Sequence, residues 1–193
     1  MKNNTRILKL KKAFEKVLDI MGLNIKDNSL INTPNRIAKM FVNETCRGLY
    51  SEEPNITVFD NDWKYTGMVL VKKITVKSLC EYHFQPFIWV CHIAYIPKEK
   101  IIGLSKFSRV VDYFARRPQV QEKLTTQIFD FLAKKLWTED IAVYINAEHL
   151  CMKIRWVNEH SSNTITSKLG WVFMSDSKVR AEFYNGSVKR NGL

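Results

Sequence analysis

The chain has 193 residues, 46% of them apolar and 25% charged, which is enough for one sizeable core and too apolar for wholesale disorder. Lys and Arg number 30 against 19 Asp and Glu, and the net charge of +11 favours anionic partners such as nucleotide phosphates or nucleic acid. No apolar run approaches the ~18 residues of a membrane span. The charged opening MKNNTRILKLKKAFEKVLDIMG lacks the apolar stretch of a signal peptide, so a cytoplasmic protein is expected. Cys46, Cys80, Cys91 and Cys151 then read as thiols or metal ligands rather than disulfides.

Ile7, Leu10, Phe14, Val17, Leu18 and Met21 recur at spacings of three and four and predict a helix over 5–21, stopped at Gly22. A second helix is predicted from Thr33 as cap and Pro34 at the first helical position, running to about Gly48. Strands follow at 55–59, at 68–79 around Val69, Val71, Ile74 and Val76, and at 84–96. Pro97 to Lys100 predicts a hairpin-like turn into Ile101 and Ile102. Phe107, Val110, Val111 and Phe114 mark one helix, ended by Pro118, and Val120 to Leu136 marks another. Strands at 141–147, 150–157 and 164–174 and a frayed tail complete the pattern. With no internal repeat, this order predicts an α+β fold with a largely antiparallel sheet.

Three constellations carry chemistry. Cys80-Glu81-Tyr82-His83 places a thiol and an imidazole three apart, and His149 and Cys151, two apart in a predicted strand, would share one face. These are zinc's preferred ligand types, and three protein ligands with one open position is the catalytic pattern. Spacing alone leaves a metal site and a chance neighbourhood of thiols and histidines both open. Gly103-Leu104-Ser105-Lys106-Phe107-Ser108-Arg109 offers a helix start with two cations, Lys106 and Arg109, on one face. Such a helix start suits a phosphate chain, and it equally suits an ordinary capped helix. Gln121-Glu122 opens the next helix. The Glu122 carboxylate matches the adjacent donors of a guanine edge, or simply complements the helix dipole. Arg155, four residues past Cys151, would reach an anion beside a metal if the strand continued.

The stretches SLCEYHFQPF, YIPKEKIIGLSKFSRVVDYFARRPQVQEKLT and AEHLCMKIRW, with TPNRIAKMF near the N-terminus, closely resemble the GTP cyclohydrolase I family. The resemblance runs from about Leu8 to Tyr184 in the family's order and spacing. It implies the tunnelling fold: an antiparallel sheet backed by two antiparallel helices, with a helical region at 1–50 preceding the catalytic domain at 51–193. It implies conversion of GTP and water to 7,8-dihydroneopterin triphosphate and formate. It also implies a homodecamer with active sites between subunits, and no nucleic-acid or membrane partner. Zn2+ ligands fall on Cys80, His83 and Cys151, and the catalytic histidine falls on His149. Triphosphate contacts fall on Ser105, Lys106, Arg109 and Arg155, and guanine contacts on Gln121 and Glu122.

Three departures stand out. Tyr82 replaces the family's first histidine of Cys-Glu-His-His; tyrosine side chains titrate near ~10 against ~6.5 for histidine, so a phenol is a poor proton carrier at neutral pH. A ring-opening enzyme that stops at a pyrimidine, or a weakly active regulatory relative, are the alternatives this raises. Trp156 stands where the family commonly has Gly, and Lys168 adds a charge to a Ser/Thr stretch.

Overall fold

The structure, a computed structural model, describes residues 1–155 and 158–188. Two compact units divide it, Met1–Glu52 and Glu53–Leu193. The first holds α1 (Asn3–Ile20) and α2 (Thr33–Met40), the latter running into a π-helical turn at Phe41–Thr45 and a 3-10 turn at Arg47–Leu49. Gly22 takes φ +78°, a left-handed conformation that costs glycine little, and ends the first helix where predicted. Thr33 lies inside α2 rather than capping it; Asn32 is the cap, and its side chain makes no capping hydrogen bond. Phe14 and Phe41 stack at 5.7 Å.

The second unit is a five-stranded sheet in the order β5-β2-β3-β6-β7. Its strands are β2 (Val69–Cys80), β3 (Pro86–Tyr95), β5 (Pro118–Gln119), β6 (Ile141–His149) and β7 (Thr164–Leu169). All neighbours are antiparallel except β5, which runs parallel to the end of β2. A separate two-stranded sheet pairs β1 (Val58–Asp60) with β4 (Lys100–Ile102), so the Pro97–Lys100 turn leads away from β3 instead of closing a hairpin on it.

The long helices α3 (Ser105–Ala115) and α4 (Gln121–Leu136) cover one sheet face. There Val76, Phe87, Cys91, Ile93, Val143 and Ile145 meet Phe107, Val110, Leu124, Ile128 and Leu132 in one dry core. The apolar pattern of β2 changes parity between Val71 and Ile74. A β-bulge there, with Lys73 at φ +57°, absorbs the extra residue and keeps all four apolar side chains on the core side. Ser105 opens α3 as its first helical residue, after Leu104, and caps nothing.

Among the described residues the chain after β7 is helical through Val188: α6 (Trp171–Ser175) and α7 (Ser177–Val188). Phe173 and Phe183 cover Ala94, Ala142 and Tyr144 on the sheet's opposite face, which would otherwise stand bare in water. The predicted strand at 164–174 stops early because Gly170 turns the chain against β6, with its N–H on the Ile141 carbonyl at 2.8 Å. A Cβ at Gly170 would sit 1.6 Å from the Glu139 carbonyl oxygen. Gly170→Ala is therefore expected to destabilise the fold by on the order of 1–3 kcal/mol, read as a lower denaturant midpoint at unchanged slope.

Candidate metal centre and active site

The β2–β3 connection is tight. The Cys80 N–H donates to the Gln85 carbonyl at 2.8 Å, and the Phe84 N–H returns to the Cys80 carbonyl at 2.8 Å. This folds His83 back toward Cys80, Sγ to Nδ1 at 3.7 Å. Cys151 arrives from the other side, and the ligand atoms of Cys80, His83 and Cys151 all lie within 4.8 Å of one another. The two cysteines are buried and His83 is exposed. Burial, then the neighbouring Cys80 thiol, push the Cys151 thiol up, while Arg155 pulls it down. A divalent cation would favour both thiolates and release their protons, so the donor set fits zinc in type and spacing. Cys46 and Cys91 lie outside this group; burial pushes both thiols up, and Cys91 is fully enclosed in the core.

Cys151 is not on a strand. β6 ends at His149, and residues Leu150–Lys153 form one helical turn, α5. The partner strand explains this: His149 pairs with Phe87, and the next position on β3 is Pro86, which has no N–H to continue a ladder. Leu150, Met152 and Lys153 all favour helix once pairing stops. The shared face expected of His149 and Cys151 is thus replaced by a strand-to-helix corner, and Arg155 lies past that corner, exposed. Trp156 lies outside the described residues.

His149 stacks on Phe87, ring centroids 4.7 Å apart and nearly parallel at 11°. Burial lowers its pKa, and the Glu122 carboxylate opposes that shift. Gln121 is 1% exposed and its Oε1 lies 2.7 Å from His149 Nε2. Within the chain Gln121 bonds His149 and residues of β6 and β7, and nothing in the spacing of the sequence pointed to these partners. Glu122, next to it, is exposed and lines a cavity of about 290 Å³ with Thr125, Thr126, Thr166, Ser167 and Lys168. Lys168 bonds Asp130 at 2.5 Å and covers the Phe129 ring. Tyr82 is 75% exposed, its ring edge-on to His83 at 6.4 Å.

The structure does not bring Ser105, Lys106 and Arg109 to this cluster within one chain. The C-terminal end of α3 leads to Pro118-Gln119, which pairs with Leu79-Cys80, so Ser105 stands the helix's whole length away, 11 residues or about 16 Å. Ser108, in the same turn, lies beside Lys72 and Lys73 near the far end of β2. Ser105 and Arg109 are exposed there.

The family model described as GTP cyclohydrolase I matches residues 10–188. The GTP cyclohydrolase 1 of Flavobacterium johnsoniae is 46% identical over 179 residues, 92% of this chain and 80% of that protein. The Aeromonas salmonicida protein of the same name is 48% identical over 171 residues, covering 88% and 78%. The Haemophilus ducreyi one is 44% identical over 183, covering 94% and 84%. Similarity this long, over a chain whose thiols and imidazole converge, makes the protein an enzyme of this type and a member of the GTP cyclohydrolase I family.

Proposed function

We propose that the chain hydrolyses GTP at C8, releases formate and recloses the product to 7,8-dihydroneopterin triphosphate. The observation that carries this is the convergence of Cys80, His83 and Cys151 beside His149 and the opening turn of α4. Zinc held by the three ligands supplies, when bound, Lewis-acid activation of water near neutral pH. His149, flat against Phe87, moves a proton at N7 of the purine as the imidazole ring opens. Glu122 accepts from the guanine N1–H and amino group, and Arg155 meets a phosphate.

Ser105, Lys106 and Arg109 hold the triphosphate from a second copy of the chain, because one copy keeps them a helix length from its own thiols. This supports a tunnelling-fold homodecamer with sites between subunits, the 51–193 region as catalytic domain and the 1–50 helices as an accessory. Tyr82 favours a second reading, in which the reaction slows after ring opening.

Incubation with GTP, following loss of purine absorbance, formate and pterin fluorescence separately, tests both. Formate with fluorescence supports the full reaction, formate or a ring-opened pyrimidine without fluorescence supports the second reading, and an inert protein refutes both. Metal content is an independent check. Purified protein should carry about one zinc per chain, Cys151→Ser should lose most of it, and Cys46→Ala or Cys91→Ala should keep it. Full retention in Cys151→Ser would refute the ligand assignment.

A further inference from the structure

Gln121 is held by a hydrogen-bond chain in which its two Nε2 hydrogens are shared among three acceptors. Its Nε2 faces the Ile145 carbonyl at 3.2 Å, the Thr164 carbonyl at 3.0 Å and Thr166 Oγ1 at 3.1 Å. Two of these are backbone oxygens that can only accept, so the nitrogen of the amide must point there and Oε1 must point to His149. The hydroxyls agree. Thr125 Oγ1 donates to the Gln121 backbone carbonyl at 2.8 Å, which commits its one hydrogen. Thr166 Oγ1, 2.7 Å away, therefore donates to Thr125 and accepts from Gln121. Gln121 and Thr125 are almost wholly buried, 1% and 2% exposed, while Thr164, Thr166 and His149 are half-buried.

An amide oxygen has no proton to give, so across the 2.7 Å contact His149 Nε2 is the donor. The Phe87 ring fixes the plane of the imidazole, and Gln121 fixes its rotation within that plane. We infer that Gln121 is a positioning residue that holds the His149 proton on Nε2 and leaves Nδ1 as the nitrogen that works on the substrate. This rests on the catalytic reading of His149 given above and differs from a base-reading role for Gln121. A residue that orients an imidazole supports kcat, whereas one that reads guanine supports KM and the choice between GTP and ATP.

The experiment uses the full-length protein with 15N-labelled histidine at pH ~8, where only four histidines contribute. His149 is assigned by its absence in His149→Asn. The parent should show the His149 proton on Nε2, slow to exchange with water. In Gln121→Met, of nearly the same shape, that proton should exchange rapidly. Its kcat should fall about 10–100-fold with KM for GTP changed less than about twofold. If Gln121→Met does not fold, the position of the ring proton in the parent protein decides the matter by itself.

A parent proton on Nδ1 would overturn the inference. So would a folded, metal-loaded Gln121→Met with parental kcat, or one that raises KM while keeping kcat. Undiminished turnover in His149→Asn would instead remove the catalytic reading, and the ring proton decides the positioning without reference to turnover.

Discussion

Tyr82→His is expected to raise the rate of pterin formation by about 10²-fold or more, within the ~10²–10⁴-fold that a positioned acid–base group contributes. The physical reason lies in which steps need a proton carrier. In the proposed reaction, ring opening is served by His149 and by the Cys80, His83 and Cys151 group, whose ligand atoms lie within 4.8 Å of one another. Expelling formate, rearranging the sugar and reclosing the ring would there require further proton movements beside these residues. Tyr82 occupies that place, next to His83 and mostly exposed, with a phenol where an imidazole would exchange protons readily. The unmodified protein should therefore release pterin slowly, with ring-opened material accumulating. The measurement times purine absorbance, formate and fluorescence together in both proteins. If the three rise in step at an efficient enzyme's rate, with no gain from histidine, Tyr82 is a competent substitute.

Discrimination between GTP and ATP should depend on Glu122. Guanine presents two adjacent donors to the carboxylate, and adenine presents a donor and an acceptor, so adenine leaves an unmatched pair. Such a loss costs on the order of 2–4 kcal/mol in an enclosed site, or roughly 30–900-fold. Glu122 is exposed in the single chain, so a value at the upper end requires that a neighbouring copy close over it. Glu122→Gln turns one acceptor into a donor facing a donor and should erase most of the preference. Equal binding of GTP and ATP by the unmodified protein would sink the assignment.

Much of this was legible in the residues, and the failures share a cause. Periodicity located α3, α4 and the central strands because each turns apolar side chains into the core, and it located α1 from a stripe that is half-buried at Ile7, Leu10 and Phe14 and buried at Leu18. The Cys80–His83 spacing survives in space because a short turn between paired strands leaves the chain little choice. The His149–Cys151 corner reads as strand in the sequence because what ends β6 is Pro86, a residue on another strand. Local pattern carries no record of a partner's missing N–H. The helices after Gly170 were missed for a related reason: their apolar face is modest by itself and makes sense only against Ala94 and Ala142. Gln121 shows the same limit at the site. Its neighbour Glu122 suggests a base-reading pair, whereas its partners come from β6 and β7, more than 20 positions away.

The pairing of His149 with Phe87 makes the site's accuracy a matter of counting rather than of fine adjustment. β6 can move along β3 only in whole residues of about 3.3 Å, and a step of one exchanges the faces of the strand. Such a step would turn Ile141, Val143, Ile145 and Ala147 out of the core at the moment it carried His149 off its stacking ring. The chain therefore has no gradual route to a His149 slightly displaced along the strand. Within this segment, substitutions deep in β6 should leave the site either intact or lost together with the fold, and graded activity should come from the corner after His149, where no ladder keeps the count.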